Sequence, residues 1–84
     1  MENPPDTDKD DAAGKLAKSV GKVIAGRRRN LGLSQEKLAE FVNCHRTYVG
    51  IVERGERNIT VYTLVSFAEA LKCLPSEILK EMKK

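Results

Sequence analysis

The chain has 84 residues, 40% of them apolar and 32% charged, which fits one small domain and leaves no room for a two-domain enzyme with its own cofactor fold. No run of 18 apolar residues occurs, which excludes a membrane-spanning helix, and residues 1–11 are acidic where a secretory signal is basic and then greasy, so the expected location is the cytoplasm. The net charge of +3 is unevenly distributed: five acids and one lysine leave residues 1–14 at −4, while the other seventy carry fourteen Lys/Arg against seven Asp/Glu. An excess of +7 on the body is what a surface facing a polyanion shows.

Residues 1–14 hold Pro4, Pro5 and five acids but no large apolar side chain beyond Met1, too little to offset the entropy of ordering. They are expected to form a disordered acidic tail, either solvated and silent or folded back over the basic face in competition with phosphates. The domain proper is expected over 15–84. Its first helix is predicted at about 16–31, where Leu16, Val20, Val23, Ile24 and Leu31 recur at helical spacing with Lys18, Lys22, Arg28 and Arg29 between them.

Gly32 supplies the stop, and Ser34 is the expected N-cap of a short second helix that opens at Gln35 and ends near Val42. Asn43 tolerates the left-handed conformation and turns the chain into a third helix, His45 to Arg54, closed by Gly55. Thr60 caps a fourth helix over Val61 to Ala70. Pro75, Ser76 and Glu77 start a fifth, in which Ile78, Leu79 and Met82 precede the basic finish Lys83-Lys84. No useful strand-like alternation appears. The expected fold class is all-α, a compact five-helix domain in which helices two and three are joined by a very short turn.

A steep crossing of two helices over so short a turn needs a small residue at the contact. Ala39 supplies it, with Leu38 and Val42 inward from helix two, Cys44 plugging the turn, and Val49 and Val52 anchoring helix three. These residues, within QEKLAEFVNCHRTYVGIVER at 35–54, resemble the helix-turn-helix family of the lambda-repressor and Cro type, and the similarity runs from about residue 20 to 79. Asn43 replaces the glycine usual in that family. The resemblance implies a lambda-repressor-like DNA-binding domain whose third helix enters the major groove of double-stranded DNA.

Packing leaves His45, Arg46, Thr47, Gly50, Ile51 and Arg54 on the outward face of helix three. Arg46 is the first choice for base readout, because arginine bonds guanine O6 and N7 bidentately. Thr47 and Ile51 suit a thymine methyl, Gly50 lets the helix sit close to the groove floor, and His45 stands at the edge of the same face. Phosphate contacts are expected from Arg54, from Arg57 and Asn58 in the following loop, and from Gln35 at the start of helix two, where free N–H groups suit an anion and where the family has a phosphate-clamping glutamine. Tyr48 either reaches a phosphate or lies half-buried against helix four. The resemblance further implies a structural ion pair between Arg28 and Glu53 that orients the reading helix.

The stretch HRTYVGIVERGERNIT at 45–60, in so short a chain, is similar to the controller proteins of restriction–modification systems, small homodimeric regulators of paired operator sites in bacteria or phage. Most of those carry aspartate where this chain has His45. Val65, Ile78, Leu79 and Met82 are the candidate homodimer interface, unless Ile78 and Leu79 close the monomer core. Two reading helices in such a dimer lie roughly 34 Å apart and match an inverted repeat.

No enzyme is expected, because the sequence holds no paired carboxylates, nucleophile–base pair, phosphate loop or metal cluster. Nor is a cofactor. Cys44 and Cys73, 29 positions apart beside a single histidine, supply neither a disulfide framework nor a zinc site and are expected as buried free thiols. The rival function is an antitoxin-type module that neutralises a partner toxin, since the same fold serves both roles.

Overall fold

The computed structural model describes the backbone of residues 7–82 and the side chains of 12–82. Five helices follow in chain order: α1 (Thr7–Asn30), α2 (Gln35–Val42), α3 (Arg46–Arg54), α4 (Val61–Ala70) and α5 (Pro75–Glu81). Among the described residues there is no strand, and no helix is long and apolar enough to cross a membrane.

The helix ends follow from local chemistry. Ser34 and Thr60 accept the N–H groups of Lys37 and Thr63 through their hydroxyls, and Asn43 and Gly55 close α2 and α3 in the left-handed region at φ 67° and 69°. Glu77 accepts the N–H of Leu74 at 2.8 Å, tying down the start of α5. Lys72, at φ 61°, turns the chain between α4 and α5. Nothing in its residue type announces that role.

Two departures concern α1. It starts at Thr7, within the stretch expected to be disordered, and it stops at Asn30, so Leu31 is exposed in the turn. Composition measures burial, and this amino-terminal extension needs none: good helix formers Ala12 and Ala13 continue a helix that the body already nucleates. Residues 1–6 and Lys83-Lys84 lie outside the described residues, as do the acidic side chains expected to fold back over the basic face.

The core is built from every helix: Ile24 from α1, Leu38 and Ala39 from α2, Val49 and Val52 from α3, Phe67 and Ala68 from α4 with Leu71 just after it, and Ile78 from α5. Helix α3 packs on α1 and α2, while α5 packs on α1 and α4 and is further fastened by the Arg27–Glu81 ion pair. Ile78 is fully buried, so it belongs to the monomer core and not to the homodimer surface expected of it. Its neighbour Leu79 is 49% exposed. On a seven-residue helix lying against a core, adjacent positions point about 100° apart, and only one can face inward.

Candidate nucleic-acid interface

Helix α3 presents its amino-terminal turn to solvent: His45, Arg46 and Thr47 are all exposed, and Ile51 is half-buried one turn further on. His45 stands outside the helix as its N-cap, with Nδ1 accepting the backbone N–H of Thr47 at 3.0 Å. The imidazole thus caps the helix start, and it is structural as well as exposed. No acid occupies the first turn of α3, where the helix dipole favours one; Arg46 stands there instead. A cation at a helix amino terminus opposes local stability, which is the kind of rule broken at functional surfaces.

Gly50 departs from expectation. It is buried, because the guanidinium of Arg54, four residues on, lies over the notch left by the missing side chain; a Cβ at Gly50 would stand 2.9 Å from Arg54 Nη1. Arg54 in turn donates Nε to Glu56 Oε2 at 2.7 Å and Nη2 to Glu56 Oε1 at 3.3 Å. This two-point pair holds the Glu56 carboxyl below its ordinary range, the hydrogen bond from Arg54 being the first cause. Arg46 Nη1 lies 3.6 Å from Glu36 Oε2 of α2. Neither glutamate is marked by its sequence context, since both lie among ordinary surface charges.

A partly buried charge network ties α3 to α1 and α2. Arg28 Nε donates to Glu53 Oε2 at 2.6 Å and Nη2 to Oε1 at 3.1 Å, while Nη1 donates to the carbonyl of Leu33 at 2.8 Å. The side chains are 12% and 7% exposed. One guanidinium therefore ties the end of α1, the α1–α2 turn and the end of α3 together. Gln35, expected at a phosphate, turns its amide inward: Nε2 donates to Glu53 Oε1 at 2.9 Å. It fills the acceptor capacity that Arg28 leaves open on a largely buried carboxylate.

Tyr48 takes the second of its two expected places. Its ring is half-buried and tilted 58° to that of Phe67, with centroids 6.4 Å apart, against α4. Arg57 and Asn58 are exposed in the α3–α4 loop, at the rim of an apolar groove that also involves Leu16, Val61, Leu64, Leu79 and Met82. Of the four residues expected at a homodimer surface, Leu79 and Met82 line this groove, Val65 is half-buried elsewhere on α4, and Ile78 is in the core. Leu16 and Val61 are exposed groove residues that were not among those expected at the homodimer surface. Leu16 carries helical spacing as a signal; Val61 carries none. Among the described residues, no group of His, Cys, Asp and Glu is arranged to hold a metal ion.

Comparison with known proteins agrees with this geometry. A family model described as helix-turn-helix matches residues 24–78. Control protein C.SmaI of Serratia marcescens is 59% identical over 44 residues, 51% of this chain and 52% of that protein. The match therefore spans about half the length of that relative. Control protein C.BamHI of Bacillus amyloliquefaciens is 38% identical over 69% of this chain and 72% of its own. The crystal structure of the restriction–modification controller protein C.AhdI from Aeromonas hydrophila superposes with a TM-score of 0.71 at 39% identity, covering 74% of this chain and 94% of that one.

Proposed function

The chain belongs to the helix-turn-helix family, and on that premise we propose that it is a sequence-specific transcriptional regulator of the restriction–modification controller kind, binding an inverted-repeat operator in double-stranded DNA as a homodimer. One observation carries the reading: a helix anchored by the partly buried Arg28–Glu53–Gln35 network displays Arg46 and Thr47, exposed, at its amino-terminal turn. An α-helix fits the major groove, and a rigid scaffold with an exposed arginine supplies both the reach and the bidentate donors that guanine requires. Arg46, Thr47 and Ile51 are assigned to base edges, His45 to the cap with an edge role at the groove wall, and Gly50 to the close approach of Arg54. Arg54, Arg57 and Asn58 are assigned to phosphates. Gln35 and Tyr48 support the reading helix from within, and any phosphate they touch is met from the edge of their half-buried positions. The role is binding and not catalysis, in the cytoplasm, with no cofactor.

The groove of about 240 Å³ edged by Leu16, Val61, Leu64, Leu79 and Met82 supports the homodimer. Apolar side chains from α1, α4 and α5 meet there on one surface, and a two-fold partner would cover them with the same residues. In-vitro selection of bound duplexes from a random pool at stated salt tests the whole reading. A palindromic motif is expected, and Arg46→Ala should erase selectivity at one symmetric pair of positions. Uniformly weaker binding with an unchanged motif would move Arg46 to the phosphate backbone.

A protein-neutralising role has one observation in its favour, the exposed aromatic pair Phe41 and Tyr62 beside a shallow hollow between α2 and α4. A partner protein that copurifies from the native gene neighbourhood and is lost on Tyr62→Ala would favour it.

A further inference from the structure

Two arginines of α3 have carboxylate partners, and the two pairs differ in which edge of the guanidinium they occupy. Arg54 spends Nε and Nη2 together on Glu56, so its side edge is taken and only the Nη1–Nη2 end remains to meet another acceptor. Arg46 comes nearest to Glu36 through Nη1, at 3.6 Å, an ion-pair approach longer than a hydrogen bond, with Nε and Nη2 lying further from that carboxylate. Glu36 sits on α2, not on the reading helix, and is exposed like Arg46. A pair this exposed contributes little to stability, so the fold does not require it.

We propose that Glu36 is a positioning residue that sets base specificity by holding Arg46 through Nη1 with its Nε–Nη2 edge turned to the duplex. The inference rests on the DNA-binding reading above. Glu36 can keep Nη1 while the remaining edge forks onto guanine O6 and N7, so a matched base is bound without breaking the pair. A phosphate contact is different. To reach the backbone, the guanidinium must leave Glu36, and the abandoned carboxylate then stands near a polyanion. The pair therefore penalises the sequence-independent use of Arg46 and leaves the base-reading use intact, which widens the gap between matched and unmatched DNA.

The test compares wild-type protein, Glu36→Gln and Arg46→Ala by in-vitro selection, then by titration of the selected duplex and of a random-sequence duplex across a salt series. Glu36→Gln keeps the shape of the side chain, and its exposed position predicts only a small fall in melting temperature, from the loss of a charge that the first turn of α2 favours. The expected result is a loss of about two- to fivefold in the preference for guanine at the positions that Arg46→Ala also affects. Random-duplex affinity should rise, with a steeper dependence on salt. An unchanged motif and unchanged ratio of the two affinities in Glu36→Gln would overturn the proposal while leaving the DNA-binding reading in place. Equal weakening on both duplexes would overturn it too, since a merely structural role predicts that. If wild-type protein selects no motif at all, the DNA-binding reading itself fails.

Discussion

Gly21 of α1 lies against the carbonyl oxygen of Val52 in α3, so closely that a Cβ at position 21 would overlap it and stand 2.5 Å from the carbonyl oxygen of Glu53. This contact sets the distance between the scaffold helix and the reading helix. Alanine in a helix interior is ordinarily favoured over glycine by about 0.5–1 kcal/mol. Here the clash is with backbone, which cannot rotate away, and overpacking of that kind costs about 1–3 kcal/mol or more. Gly21→Ala is expected to lower stability by about 2 kcal/mol in urea titration, whereas Gly26→Ala, in the same helix with nothing within 4 Å of its Cβ, should raise it. Stabilisation by both would show that α1 and α3 are further apart.

Breaking the Arg28–Glu53 pair from one side leaves the other charge largely buried and uncompensated. Arg28→Met or Glu53→Leu should each cost about 3 kcal/mol, and the double variant less than the sum of the two. Full additivity in thermal or urea unfolding would mean that the two residues act independently.

His45→Ala removes the acceptor for the Thr47 N–H and is expected to cost about 1 kcal/mol. His45→Asp should restore the cap and add a favourable charge at the helix start, yet weaken DNA binding by bringing a carboxylate toward the phosphates. Equal stability of the alanine and aspartate variants would deny His45 its capping role.

Neighbouring α5 residues should respond in opposite ways. Ile78→Ala, in the core, is expected to cost about 2–5 kcal/mol, while Leu79→Lys should keep the helical signal and melting cooperativity of the wild-type monomer but abolish self-association in light scattering. A dimer that survives Leu79→Lys and Leu16→Lys together would place the interface elsewhere.

Burial pushes the thiol pKa of both Cys44 and Cys73 up, desolvation being the first cause at each. The folded chain then holds these protons to higher pH than the unfolded chain does. The associated stability is complete below the ordinary thiol range near about 8.5 and is lost as pH rises from there through the raised folded values. Urea midpoints should fall between neutral and alkaline pH, less so in the Cys44→Ala/Cys73→Ala variant, and iodoacetamide should label the native thiols more slowly than the urea-unfolded ones. Equal labelling rates would contradict the burial.

Periodicity and caps made the helical class, the boundaries of α2 to α4 and the turn at Asn43 legible in the residues themselves, because a helix end is satisfied by groups within a few positions of it. The same local chemistry marked the outward face of α3, since Val49 and Val52 claim one side of a nine-residue helix and leave Arg46 and Thr47 the other. What no local pattern holds is the partner of a side chain across the fold. Gln35 turned to Glu53, Arg46 set beside Glu36, and Ile78 separated from Leu79 were decided only when five helices packed. Gln35 and Glu53 stand 18 positions apart on different helices, and such contacts depend on helix crossing distances that a string of residue types does not encode.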